Sequence, residues 1–137
     1  MSGKAKIGET FFTSVGCMDG RVQKAVGEYA SLLFGAEYPD TITRAGLDGA
    51  FAKEDIDPEV YEAIKAMIFV SVDKHSSYGI IVHGHEECAG NPVAHDQHKK
   101  DIKKSVETIK KMVTGRNIEV RGVYVRLNPR IKIEVVI

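Results

Sequence analysis

At 137 residues the chain is read as one domain, 1–137, large enough to bury a core of its own. Lysine plus arginine and aspartate plus glutamate both number 19, so no charge excess argues for nucleic acid or an anionic membrane as partner. The apolar fraction is 43% without a run of membrane-spanning length, Met1-Ser2-Gly3-Lys4 carries no signal core, and there are two cysteines. These features argue against a membrane protein and against a disulfide scaffold. The expected compartment is the reducing cytoplasm, where thiols more often serve metals or catalysis.

In chain order, residues 10–15 read as a short buried strand, with Gly16 turning the backbone toward Cys17. A helix follows, because Val22, Ala25, Val26, Tyr29, Ala30 and Leu33 recur at helical spacing; Asp19 is its expected cap and Gly35 its stop. Tyr38-Pro39-Asp40 reads as a turn before a short strand over 41–44, and residues 45–49 read as a loop. Asp57-Pro58-Glu59 announces a second helix with Val60, Ile64, Met67 and Ile68 inward, ending before Ser76. Residues 78–82 are apolar on both alternations, as a parallel strand covered on both faces should be, and a loop over 84–92 follows. A third helix over 96–114 turns Ile102, Val106, Ile109 and Val113 inward and its lysines to water. A strand over 119–127, a turn at Asn128-Pro129-Arg130 and a last alternating strand complete the chain. The order predicts an α/β fold: four parallel strands, a fifth antiparallel edge strand, and flanking helices.

The chemistry gathers at two strand exits. Cys17-Met18-Asp19-Gly20-Arg21 leaves the first strand, and His85-Glu86-Glu87-Cys88 leaves the third. Two thiols and an imidazole suit tetrahedral Zn2+ with one position open, filled by water or by a protein carboxylate. Asp19 then either accepts a hydrogen bond from the reacting water or binds the metal itself. Arg21 can hold that carboxylate in a bidentate pair. Singly, each cysteine reads better as a small buried hydrophobe, Asp19 as a helix cap and Arg21 as a solvated residue. Together, at these spacings, they favour a metal site. His83 reads as a core or supporting residue; Arg44 lines the cleft or makes a structural contact. Glu86 and Glu87 either tune the site or face solvent. His95 and His98 either relay protons or lie exposed on a polar helix, the latter being favoured.

Cys17-x-Asp19-x-Arg21 with His85-x-x-Cys88 resembles the paired signature of the β-class carbonic anhydrases. Arg44-Ala45-Gly46 is similar to that family's Arg-Asn-Ala-Gly, as is the Val82-His83-Gly84-His85 approach to the second motif, and the likeness spans about residues 10 to 130. The resemblance implies Zn2+ held by Cys17, His85 and Cys88, an Asp19–Arg21 catalytic dyad, and reversible hydration of carbon dioxide to bicarbonate through zinc-bound hydroxide. It also implies a homodimer or higher homo-oligomer. Gly8, Glu9 and Thr10 stand where many members carry a substrate-binding glutamine. The alternatives are a related zinc hydrolase acting on carbonyl sulfide or carbon disulfide, and a catalytically silent zinc-binding protein of the same fold.

Overall fold

The structure, a computed structural model, describes residues 2–137. Its centre is a five-stranded sheet ordered β2-β1-β3-β4-β5, built from β1 (Phe11–Gly16), β2 (Tyr38–Thr43), β3 (Ile80–His85), β4 (Val120–Arg126) and β5 (Lys132–Val135). The first four strands pair in parallel and β5 runs antiparallel to β4, as the sequence predicts. Helices α1 (Gly20–Phe34), α2 (Leu47–Ala52), α3 (Pro58–Phe69) and α4 (His95–Met112) cover it.

Local chemistry sets most of the boundaries. The Asp19 side chain accepts the Arg21 N–H at the start of α1, and Gly35 closes that helix in the left-handed conformation with its N–H on the Ser31 carbonyl. Asp57 caps α3 through the Glu59 N–H, with Pro58 in the first turn. Beyond Phe69 that helix widens into a π-helical turn over Val70–Lys74. No helix is long and apolar enough to cross a membrane, among the described residues.

Alternating side chains divide the core in two. On one face Val82, Ile80, Val120 and Tyr124 pack with Leu47, Phe51, Ile64, Ile68, Ile102, Val106 and Ile109. On the other, Phe12, Ile81, Val123 and Val125 pack beneath Val22, Val26 and Ala30 of α1. Burial on both faces explains why β3 shows no polar alternation.

Three expectations need correction. Tyr38-Pro39-Asp40 is not a turn but the first half of β2, which pairs in register with Phe11, Phe12 and Thr13; proline is tolerated because β2 is an edge strand. The 45–49 loop holds the start of α2, where Leu47 and Phe51, one helical turn apart, are both buried. Met67, expected inward on α3, is 43% exposed. The last strand is half exposed, as its alternation leads one to expect: Ile133 packs against the core, while Ile131, Val135 and Ile137 stay exposed and Glu134 turns to meet Lys99 and Arg126. A short edge strand has a neighbour on one side only, so alternation alone does not bury it.

Ile102 touches both sheet and helix layers and is fully buried. Its replacement by alanine is expected to cost about 2–5 kcal/mol. That loss should appear as a lower urea midpoint with an unchanged m value.

Candidate metal centre

The order β2-β1-β3-β4 places a topological switch between β1 and β3, whose parallel register sets Gly16 beside His83. Ligand crevices form outside the carboxyl ends of strands at such points. Cys17 is the residue after β1, His85 is the last of β3, and Cys88 returns on the loop between them and α4, helped by the left-handed Glu87 (φ 57°). The two sulfurs lie 3.7 Å apart. A ligand-type atom from each of Cys17, His85 and Cys88 falls within 4.8 Å of the others, and all three residues are buried.

The imidazole is oriented for the task. His85 Nδ1–H donates to the Glu86 carbonyl at 2.7 Å, which leaves the Nε2 lone pair free. That Nε2 is buried and has no hydrogen-bond partner. An orphaned buried acceptor is rare, and this one belongs to a ring clustered with two sulfurs. The Gly46 N–H donates to Cys17 Sγ at 3.4 Å. Burial and the neighbouring Cys17 push the Cys88 thiol up to about 11, so without a cation Cys88 does not ionise readily. A divalent metal reverses that balance by stabilising thiolate. The donor set therefore fits a soft-to-borderline ion such as Zn2+.

Asp19 stands at the rim, its Oδ2 3.8 Å from His85 Nε2. Arg21 grips it from the side: Nε donates to Oδ1 and Oδ2 at 3.1 and 3.2 Å, and Nη2 to Oδ2 at 2.7 Å. This pairing lowers the Asp19 carboxyl to about 2. The Glu87 carbonyl accepts a further Arg21 bond at 3.3 Å. Gln23 Nε2 donates to the carbonyls of Cys17 and Asp19. Neither Gln23 nor the carbonyl of Glu87 carries a sequence signal for these roles, because both act across a turn whose shape is tertiary.

The site exists because two loops touch backbone to backbone. Gly46 has φ 64°, and a Cβ there would lie 2.3 Å from the carbonyl carbon of Gly90; a Cβ on Gly90 would lie 2.6 Å from that of Ala45. The glycines permit this approach.

The remaining candidates fall elsewhere. His83 is fully buried over Gly16 with both ring nitrogens unpartnered. Burial first, then His85, depresses its pKa to about 4; it backs the site as a neutral ring. Glu86 accepts the N–H groups of Leu127 and Asn128, so it ties the loop to the β4–β5 turn. Arg44 is exposed beside Thr43, Val60 and Met67, on the α3 side. His98, expected at a solvated helix start, is instead completely buried with Nδ1 2.8 Å from Asp48 Oδ2. His95 is half exposed and meets the Tyr124 hydroxyl at 2.6 Å. A surface cleft of about 620 Å³ runs along α1 from Gln23 to Leu32 and includes none of the three ligand-type residues.

A family described as "Putative carbonic anhydrase" matches residues 7–137, and the chain belongs to that family. Among solved structures the chain is similar to the β-carbonic anhydrase CafA of Aspergillus fumigatus, at 12% identity over 96% of this chain and 78% of that one, with a TM-score of 0.48. It is also similar to one of the tetrameric β-carbonic anhydrases of Sordaria macrospora, at 16% identity over 92% and 81%, again with a TM-score of 0.48. No curated protein matches the chain significantly.

Replacing Arg21 by glutamine removes the main cause of the low Asp19 pKa. In the metal-free variant the Asp19 carboxyl should titrate near the ordinary value of about 3.9, against about 2 in the parent, as read by carboxyl-carbon NMR. The sign follows: the pair's stabilisation is present above pH about 4 and fades as pH falls toward 2.

Proposed function

We propose that Cys17 Sγ, His85 Nε2 and Cys88 Sγ hold one Zn2+ and that the protein hydrates carbon dioxide reversibly to bicarbonate. The observation that carries this reading is the buried, partnerless Nε2 of His85, on a ring clustered with two sulfurs beside an Arg-clamped carboxylate, in a chain of the carbonic anhydrase family. Zinc held there supplies a Lewis acid that makes a coordinated water nucleophilic near neutral pH; the familiar pKa of about 7 belongs to carbonic anhydrase of the three-histidine type, with a different ligand set.

The protein's own residues do the rest. The Glu86 carbonyl fixes the His85 tautomer and the ring's direction. Asp19 lies close enough to His85 Nε2 to accept a hydrogen bond from water at the open position and so aim its lone pair at carbon dioxide. Arg21 holds both carboxylate oxygens, which keeps Asp19 from swinging inward to close that position. With its pKa at about 2, Asp19 is anionic throughout the neutral range, so an acid limb of the rate profile belongs to the water and not to Asp19. His98 is locked against Asp48 and buried, which leaves the product proton to solvent and buffer. Met18, the neighbour of Cys17, is an apolar side chain 61% exposed; that exposure supports a pocket completed by a second copy of the chain in a homo-oligomer.

Stopped-flow carbon dioxide hydration on protein with stoichiometric zinc tests the reading. Zinc-dependent turnover should rise from slightly acid to alkaline pH. Asp19→Asn should retain zinc and lose about 10²–10⁴-fold in rate. Unchanged turnover in that variant would remove Asp19 from the mechanism. A zinc-loaded parent without turnover at any pH would sink hydration and turn the search to carbonyl sulfide.

A further inference from the structure

Behind the metal centre lies a buried polar cluster that the proposed reaction does not use. Asp48 on α2 and Asp101 on α4 are both buried, and the Asn91 amide sits between them. Its Nδ2 donates to Asp48 Oδ1 at 3.3 Å and to Asp101 Oδ2 at 3.0 Å. The other oxygens are taken: His98 Nδ1 contacts Asp48 Oδ2 at 2.8 Å, and Gln97 Nε2 donates to Asp101 Oδ1 at 2.8 Å. Ser105 adds a bond to the Asp48 carbonyl. Both neighbours of the amide are carboxylates, which only accept, so the NH2 end must face them. The amide is also seated against the α2 backbone, since a Cβ on Gly49 would lie 2.6 Å from Asn91 Cγ.

Asn91 is three residues beyond Cys88. It follows Gly90, whose backbone packs directly against that of Ala45 and Gly46. We infer that Asn91 is a positioning residue for the metal: its side chain, clamped between Asp48 and Asp101, seats the loop of Gly90 against Gly46 and so fixes where Cys88 stands. The Gly46 N–H bonds the Cys17 sulfur, so the same docking contact bears on both cysteines. Removing the amide leaves two buried carboxylates without their shared donor, and the loop carrying Cys88 loses its anchor to α2 and α4. The inference rests on Cys88 being a metal ligand.

Co2+ titration of the metal-free chain tests it, with affinity and the thiolate-to-cobalt charge-transfer band as readouts. Asn91→Ala should weaken binding about 10–100-fold, the range typical of groups that support metal ligands, and shift the band. Asp101→Asn, which keeps an acceptor toward Asn91, should bind as the parent does, whereas Asp101→Leu should behave like Asn91→Ala. Thr108→Ala is the packing control, since Thr108 also joins α4 to α2, through the Phe51 carbonyl, but touches no part of the clamp. It should leave affinity and band unchanged.

Parent-like affinity and spectrum in Asn91→Ala overturn the role, as does an equal loss in Thr108→Ala. Should Asn91→Ala fail to fold, the Asp101 pair decides: parent-like binding by Asp101→Leu overturns the role, and a loss confined to Asp101→Leu supports it. A parent chain that takes up no Co2+ overturns instead the ligand assignment of Cys17, His85 and Cys88.

Discussion

The contact between Gly46 and Gly90 is the constraint on which the rest of the site depends. One follows β2 and the other follows β3, and their backbones meet more closely than any side chain would allow. That approach places the Gly46 N–H on Cys17 and brings Cys88 to 3.7 Å from it. Backbone this close must satisfy its polar groups locally. For the Gly46 N–H the acceptor is the Cys17 sulfur, which links the packing of two loops to the chemistry of the cluster.

Behind that contact the interior contains a set of groups that cost free energy to bury. Asp48, Asp101, His83, His85 and His98 are all removed from water. Buried polar groups persist where partners compensate for lost hydration. Asp48 and Asp101 have such partners in Asn91, Gln97 and His98. His85 Nε2 and His98 Nε2 have none, but only the His85 ring clusters with two sulfurs. His83 lacks partners as well, and its depressed pKa follows from an apolar seat over Gly16 that favours the neutral ring.

Sequence and structure agree best where the signal is local or periodic. The caps at Asp19 and Asp57, the stop at Gly35, the inward stripe Ile102–Val106–Ile109–Val113 and the doubly apolar β3 appear much as expected. Disagreement falls where a neighbour overrides local preference. Pro39 reads as a turn residue, yet the pairing of β2 with β1 draws it into an edge strand. Helix α2 is only 6 residues long, too short to be stable without the packing of Leu47 and Phe51. His98 sits on a helix start rich in polar residues, and only the opposing Asp48 turns it inward.

The sequence by itself determined the order of elements, the mostly parallel α/β class, and the residue types at two strand exits, because periodicity, caps and metal-ligand chemistry are properties of short segments. It also carried the likeness to the carbonic anhydrases, since paired motifs are linear strings. The tertiary structure alone decided that Cys17, His85 and Cys88 converge, that Arg21 occupies both oxygens of Asp19, and that Asn91 lies between two carboxylates. Cys17 and Cys88 are 71 positions apart, and Asp48 and His98 are 50 apart. No local preference spans such separations; the register of β1 against β3 and the docking of α4 on α2 do.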